Sequence, residues 1–401
     1  MYYHSSVFKD ESKLDINYVP PRLPHRKFQL NLLDQFFRFA IENPGKMTQR
    51  VLITGNVGTG KTVLSQHFGL DVAKEAKKRG INLNCVHVNC RECKGSLFMI
   101  LQRAILNFHP HFPKRGYSAE ELLQTLMQIL DEQNAYLILV LDELEALIQI
   151  GGSDPLYKLT RIQEDRLKAP QRFSLICILR EPKYLDGLDH STRSTLQRNI
   201  IHLEEYSASQ LHDILKDRVD LAFKYGTVSA STLHFIAELA SSEGGDARYG
   251  IELLWRAGKY ADASGLSEVS PECVRKAAAD VYPVVRKSII FSLGLHEKLF
   301  LLGITRHFKH SEAAYLSLGA AEDAYAVVCE EYDAKKRGHT QPWKYVKKLS
   351  VLGIIRTELS SVGQRGKTTY ISLPGVPASD LEQELTKILS TEKRRSNPHV
   401  N

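Results

Sequence analysis

Gly55-Asn56-Val57-Gly58-Thr59-Gly60-Lys61-Thr62 decides the fold class. It matches G-x-x-x-x-G-K-T in full, a loop whose glycines let consecutive backbone N–H groups turn inward around phosphate oxygens. Lys61 adds a point charge for the β- and γ-phosphates, and the Thr62 hydroxyl suits a magnesium ion. The flanks agree. Residues 51–54 are an apolar run of strand type, and residues 63–74 carry helical apolar spacing, so the loop meets the positive end of a helix. ATP or ADP with Mg²⁺ is the expected ligand, and these eight residues are its cradle.

Outward from the loop, β-type runs at 50–54, 83–89, 136–141, 173–179 and 200–203 alternate with helical patterns. Such alternation implies right-handed βαβ units and a parallel sheet covered on both faces. The helix predicted over 118–133 opens with a Ser-x-x-Glu capping box, Ser118 and Glu121. The third run ends Leu137-Ile138-Leu139-Val140-Leu141-Asp142-Glu143, bringing two carboxylates to the strand's C-terminal end, where open parallel sheets bind ligands. Asp142 joins Thr62 in the expected Mg²⁺ shell, and Glu143 is the residue to polarise an attacking water.

After residue 207 the strands stop. Helical patterns at 207–225, 229–242, 247–263 and 271–281 read as a small all-helical domain, broken by Tyr282-Pro283-Val284-Val285. A last unit has helices followed by β-runs at 354–362 and 367–373 around Gly363-Gln364-Arg365-Gly366. The expected organisation is a flexible segment at 1–17, a P-loop α/β domain at 18–204, a helical lid at 205–284, a winged helix at 288–377 and a polar tail at 378–401.

Composition narrows the class. The 401 residues are 43% hydrophobic and 25% charged, as in ordinary globular proteins. No apolar run reaches the length of a spanning helix, and the N-terminus has no secretory pattern, so a cytoplasmic, nucleoid-associated protein without a membrane partner is expected. Cys90 and Cys93, near Cys85 and His87, have the spacing of a zinc-ligand pair, but no second pair matches them; strand or loop cysteines are expected. The net charge of +7 is concentrated: residues 335–370 hold nine basic side chains against Glu358 alone, which leaves −1 for the rest. A patch of that kind fits a phosphate backbone.

Several stretches then fall in one order: Tyr18-Val19-Pro20-Pro21-Arg22-Leu23-Pro24-His25-Arg26, the two phosphate motifs, Glu205-Tyr206, the helix of Arg218, Gly244-Gly245-Asp246-Ala247-Arg248-Tyr249, Leu295-His296-Glu297-Lys298, and Gly363 to Thr368. From about residue 8 to 375 the chain resembles the archaeal initiators of DNA replication, relatives of the origin recognition complex and of cell division control protein 6. These are AAA+ ATPases with a C-terminal winged helix. The resemblance implies that Tyr18, Val19, Pro20 and Arg26 lie on the adenine side, that Arg248 reaches from the lid to the γ-phosphate, and that Tyr206 and Arg218 lie on the lid side of the nucleotide. It also implies duplex origin DNA as partner, recruitment of the replicative helicase, and pairing with a paralogue on DNA. An insertion in the α/β domain would add DNA contacts; here that is 91–114, with Arg91, Lys94, Arg103 and Lys114.

Two positions depart from the family pattern. Arg180 stands where the first sensor, normally Asn, orients the attacking water; a guanidinium donates but cannot accept. Ser191 stands at the arginine-finger position, with Arg193 two residues on. Tight nucleotide binding with slow or negligible turnover is therefore expected, with Glu143, Asp142 and Arg180 as the catalytic set. In the winged helix, residues 341–352 are the predicted recognition helix. Pro342 suits its first turn, Val346, Leu349 and Leu352 share a buried face, and Lys344, Lys347 and Lys348 point to DNA. Arg365 and Lys367 cap the wing, and Trp343 and Tyr345 either contact sugar or bases or, for one of them, pack into the core. The alternatives to an initiator are a paralogue that modulates or represses initiation and an ATP-regulated transcription factor.

Overall fold

A computed structural model describes residues 6–396, apart from 114, 164–165, 167–168, 282–286, 312, 339 and 360–367. It divides into two compact units. One holds Asn17–Gln210 and Gly244–Ala247; the other holds Met1–Ile16, Leu211–Glu243 and Arg248–Asn401.

The first unit runs α1 (Lys27–Glu42), β1 (Arg50–Thr54), α2 (Lys61–Lys78), β2 (Asn82–Asn89), α3 (Leu97–Phe108), α4 (Ala119–Glu132), β3 (Ala135–Asp142), α5 (Glu145–Gly151), α6 (Asp154–Arg161), β4 (Phe173–Leu179), α7 (His190–Leu196) and β5 (Ile200–His202). Each run expected as a strand is one. The five strands pair in parallel, in the order β2-β3-β4-β1-β5. Strand alternation divides the core between two faces. Ile53, Ile138 and Ile176 pack against Phe37, Leu64 and Phe68 of α1 and α2. Their neighbours Leu52, Leu139 and Leu175 pack against Ile100 and Leu101 of α3 and Leu126 and Leu130 of α4. Burial on both faces is why these strands read as continuous apolar runs. The capping box forms, with Ser118 Oγ accepting from Glu121 N and the Glu121 carboxylate from Ser118 N. Cys90 and Cys93 are fully buried in the core. Burial pushes the Cys90 thiol up, so both behave as small hydrophobes.

In the second unit, α8 (Ala208–Ala222, most of it here), α9 (Ala230–Ser242), α10 (Ala247–Ala263) and α11 (Pro271–Val281) form the helical lid. After it come α12 (Lys287–Phe291), α13 (Leu295–His310), β6 (Leu316–Ser317), α14 (Leu318–Glu331), α15 (Thr340–Val351), β7 (Arg356–Leu359), β8 (Thr369–Ser372) and α16 (Ala378–Ser396). The three strands are antiparallel in the order β6-β8-β7. Two-residue β6 is too short to show in a sequence pattern. Phe300, Phe308, Tyr325, Leu349 and Ile371 centre the core of this winged helix.

The sequence reading is corrected at both ends. The segment expected to be flexible at 1–17 is packed on the lid over its described residues. Val7 and Phe8 are buried, and Phe8 bridges to Phe223 with ring centroids 4.7 Å apart. Asp262 accepts from Val7 N at 2.7 Å, while Trp255 Nε1 and Lys259 Nζ both donate to Glu11. The polar tail expected at 378–401 begins instead with α16. Its Leu381, Leu385, Ile388 and Leu389 recur at helical spacing and are buried in the winged-helix core. That apolar stripe outweighs the polar composition between its members.

Candidate nucleotide site and nucleic-acid face

The C-terminal edge of the parallel sheet gathers the site. The P-loop leaves β1, Asp142 ends β3, and Arg180 follows β4. Gly58 has a left-handed φ of +74°, and a Cβ there would come within 1.9 Å of Asp246 Oδ1. The loop can therefore only take glycine where Gly244–Ala247 lies on it, an approach fixed by Ala247 N donating to Gly58 O at 3.2 Å. Lys61 Nζ donates to the Gly55 and Asn56 carbonyls, each at 2.6 Å, so its ammonium sits over the loop. Asn56 Nδ2 donates to Glu205 Oε1 at 2.6 Å.

Thr62 and Asp142 meet as expected. Thr62 Oγ1 donates to Asp142 Oδ2 at 2.6 Å, and the other carboxylate oxygen accepts from Glu143 N at 2.8 Å. A residue the sequence reading had placed only beside the cysteines joins them: His87 Nε2 lies 3.1 Å from Asp142 Oδ2. Burial would raise the Asp142 carboxyl, but the bonds from His87 and Thr62 hold it below the ordinary carboxylate range. The hydroxyl and the ionised carboxylate, 2.6 Å apart, are hard oxygen donors of the kind Mg²⁺ takes. Glu143 has a left-handed φ of +50°, a strained backbone for a non-glycine residue at the place assigned to the catalytic carboxylate.

Arg180, expected at the sensor position, turns toward acid. Its Nε is 3.5 Å from Glu145 Oε1, and its carbonyl accepts from Gly55 N. Burial raises the Glu145 carboxyl, and Glu143 and Asp142 raise it further, against Arg180. Glu145 was not foreseen; its spacing from Asp142 only gains meaning once α5 turns it back toward β4. Ser191, expected at the finger position, accepts from Arg161 Nη2, and Arg193 pairs with Asp186 at 3.0 Å. His190, Arg193, Ser194, Gln197 and Arg198 line a cavity of about 470 Å³ along α7.

Arg26 is buried. Its Nη2 donates to Thr59 O and Glu204 O, both at 2.9 Å, and the guanidinium lies 4.0 Å over the Tyr206 ring. It therefore ties the P-loop to the end of β5. Tyr18 and Val19 are half-buried and Pro20 is buried, on a segment held to α2 by a contact from His67 Nε2 to Pro21 O at 3.3 Å. Arg218 is buried within the lid and donates to Lys13 O at 2.9 Å. Arg248 is exposed in the first turn of α10.

In the winged helix, Lys344, Lys347 and Lys348 are exposed on α15 above a face buried through Tyr345, Val346 and Leu349. Lys348 is bonded to both Glu297 oxygens, at 2.8 and 2.7 Å, whereas Lys347 lies 5.5 Å over the Trp343 ring. Tyr345 is the aromatic that enters the core, against Phe300 and Tyr325, and Trp343 is 40% exposed. Arg365 and Lys367 of the wing lie outside the described residues, as does Lys114 of the insertion. Arg103 of the insertion pairs with Glu92 at 2.9 Å. No described helix is long and apolar enough to cross a membrane.

A P-loop α/β domain of this strand order, a helical lid and a winged helix on one chain define an AAA+ protein with a nucleic-acid-binding type of appendage. Sequence models agree domain by domain: an AAA domain at residues 47–182, a Cdc6 AAA+ ATPase-type lid domain at 212–279, and a Cdc6 C-terminal winged helix domain at 288–383. The ORC1-type DNA replication protein 2 of Sulfolobus acidocaldarius is 34% identical over 397 residues, covering 97% of this chain and 94% of the relative. The crystal structure of Cdc6p from Pyrobaculum aerophilum superposes with a TM-score of 0.83 at 32% identity, over 96% of this chain and 100% of that one. The Aeropyrum pernix ORC1 protein, solved in complex with DNA, gives a TM-score of 0.63 at 26% identity, over 97% and 98%. The chain belongs to the ORC1/Cdc6 family of AAA+ DNA replication proteins.

Proposed function

We propose that this protein binds ATP or ADP with Mg²⁺ in its α/β unit, recognises duplex origin DNA through its winged helix, and helps recruit the replicative helicase. The observation that carries the reading is the contact of Thr62 with Asp142 at 2.6 Å beside Lys61, on a chain whose α15 presents Lys344 and Lys347 to solvent. Thr62 and Asp142 would hold the magnesium ion, which would neutralise phosphate charge. Glu143 would polarise a water, and Arg248 would report the γ-phosphate to the lid. The Aeropyrum pernix relative solved in complex with DNA supports DNA binding. Nucleotide then works as a conformational switch, whose leverage equals its differential affinity for two arrangements.

Turnover should be slow. Arg180 has no acceptor to hold a water, and the finger position is a serine engaged by Arg161. A steady-state rate above about one per minute, abolished by Glu143→Gln, contradicts this. The same two features favour, as a second reading, a paralogue that binds DNA but modulates initiation. Footprinting on replication-origin DNA from the same organism, with ATP and with ADP, separates the two. Discrete protected repeats with hypersensitive positions support the initiator; uniform weak protection, or protection confined to promoters, overturns it.

A further inference from the structure

His87 is the residue at the nucleotide site that neither the P-loop nor the acidic strand end accounts for. It comes from β2, the edge strand next to β3. Alternation along β2 puts Leu83, Cys85 and His87 on one face. Leu83 and Cys85 pack in the same core as Leu64 and Phe68 of α2. The helix approaches so closely that a Cβ on Gly69 would stand 2.7 Å from Cys85 Sγ. The next residue on this face is therefore carried to the N-terminal end of α2, where Thr62 sits. The register is fixed further by Asn89 opposite Asp142 and by Cys90 N donating to Asp142 O at 2.8 Å.

The chemistry at that point is specific. Asp142 Oδ2 is shared by Thr62 Oγ1, at 2.6 Å, and His87 Nε2, at 3.1 Å. An ionised carboxylate only accepts, so Nε2 carries the hydrogen in this contact. Nδ1 is buried and has no hydrogen-bond partner. Moving the proton from Nε2 to Nδ1 forfeits the bond to Asp142 and leaves a buried N–H without an acceptor, and it turns the Nε2 lone pair toward the same oxygens; a cation bound there has to offset both costs. Hydroxyl and carboxylate oxygens suit Mg²⁺, whereas an imidazole nitrogen adds affinity mainly for transition ions.

We propose that His87 is a third protein donor at the divalent-cation position of the nucleotide site, beside Thr62 and Asp142, and that it makes this position prefer Co²⁺ and Mn²⁺ over Mg²⁺. The inference rests on the reading that the site binds nucleotide with a divalent cation.

The test uses the full chain and a fluorescent ADP derivative, titrated with Mg²⁺, Mn²⁺ or Co²⁺ after binding in EDTA has been measured. Wild type should need about tenfold less Co²⁺ than Mg²⁺ for half-maximal tightening, with Mn²⁺ between them. His87→Phe, which keeps a ring on that face, and His87→Ala should both lose the preference, with ADP binding in EDTA showing that each variant folds. Pulsed electron paramagnetic resonance of the Mn²⁺–ADP complex should show imidazole ¹⁴N coupling in wild type that both variants lack. Equal metal preference in wild type and variants, with no nitrogen coupling, overturns the role of His87 and leaves nucleotide binding intact. Absence of ADP binding under every condition overturns the nucleotide reading and this inference with it.

Discussion

Arg26→Met examines how the P-loop is anchored. The guanidinium is 5% exposed, makes two bonds of 2.9 Å to the Thr59 and Glu204 carbonyls, and stacks on Tyr206 at 4.0 Å. A bond from a charged donor contributes about 1.5–3 kcal/mol. A desolvated cation–π contact contributes about 2 kcal/mol. The parts do not add in full: both bonds leave the same nitrogen, and Arg26 Nε is buried without a hydrogen-bond partner, a cost that methionine removes. The net loss for the α/β unit should be about 3 kcal/mol. Tryptophan fluorescence is the wrong probe, since Trp255 and Trp343 both belong to the other unit. Hydrogen exchange of β1 peptides reads the loss directly, as a protection factor lower by about two orders of magnitude. Arg26→Lys should recover less than half, because one ammonium lacks the fork and the stacking plane. A loss under about 1 kcal/mol, or full recovery by lysine, refutes the anchoring role.

Phe8→Ala should lower the melting temperature and expose the first 16 residues to limited proteolysis, at a cost of about 3 kcal/mol. The Phe8 ring fills the space a side chain on Gly258 would occupy. Unchanged cleavage would show that the N-terminal segment is held by its polar contacts alone. Glu238, on α9 of the lid, meets Glu358 of β7, with His234, Tyr315 and Arg356 around it. Burial and then Glu358 push its carboxyl up to about 8, against the lowering effects of Tyr315 and Arg356. A raised folded-state pKa stabilises below the unfolded value of 4.5, and that contribution is lost as pH rises through about 8. The melting temperature of this unit should therefore fall between pH 4.5 and about 8 and level off above that, and Glu238→Gln should flatten the slope; an identical slope in the variant sinks the assignment. Lys344→Ala with Lys347→Ala should weaken duplex binding and reduce the slope of log K against log salt by about 2, and an unchanged slope would remove α15 from the DNA face.

The sequence by itself determined the parallel sheet, the P-loop and the acidic end of β3. Each is local: the apolar run, the spaced glycines of the loop and the two carboxylates each occupy close positions in the chain, and the order within each motif fixes its chemistry. Amphipathic spacing likewise gave α15 and its lysines. It could not show that residues 6–16 are structural, because a short apolar group in polar company has no periodic signal until Phe223 and Gly258 offer it a partner; the stripe of Leu381, Leu385, Ile388 and Leu389 is periodic, but only the winged-helix core gives that face something to pack against. Three features of the site were decided only by tertiary structure. Asp246 meets Gly58 because the chain returns to the P-loop after two lid helices. Glu145 faces Arg180 because Leu144 N, at the start of α5, donates to Ile178 O of β4 at 2.9 Å. His87 reaches Asp142 because β2 pairs with β3 in the register that sets Asn89 opposite Asp142. A parallel pairing joins residues tens of positions apart through backbone bonds that carry no side-chain signature, so the third neighbour of Thr62 and Asp142 is legible only once the sheet is formed.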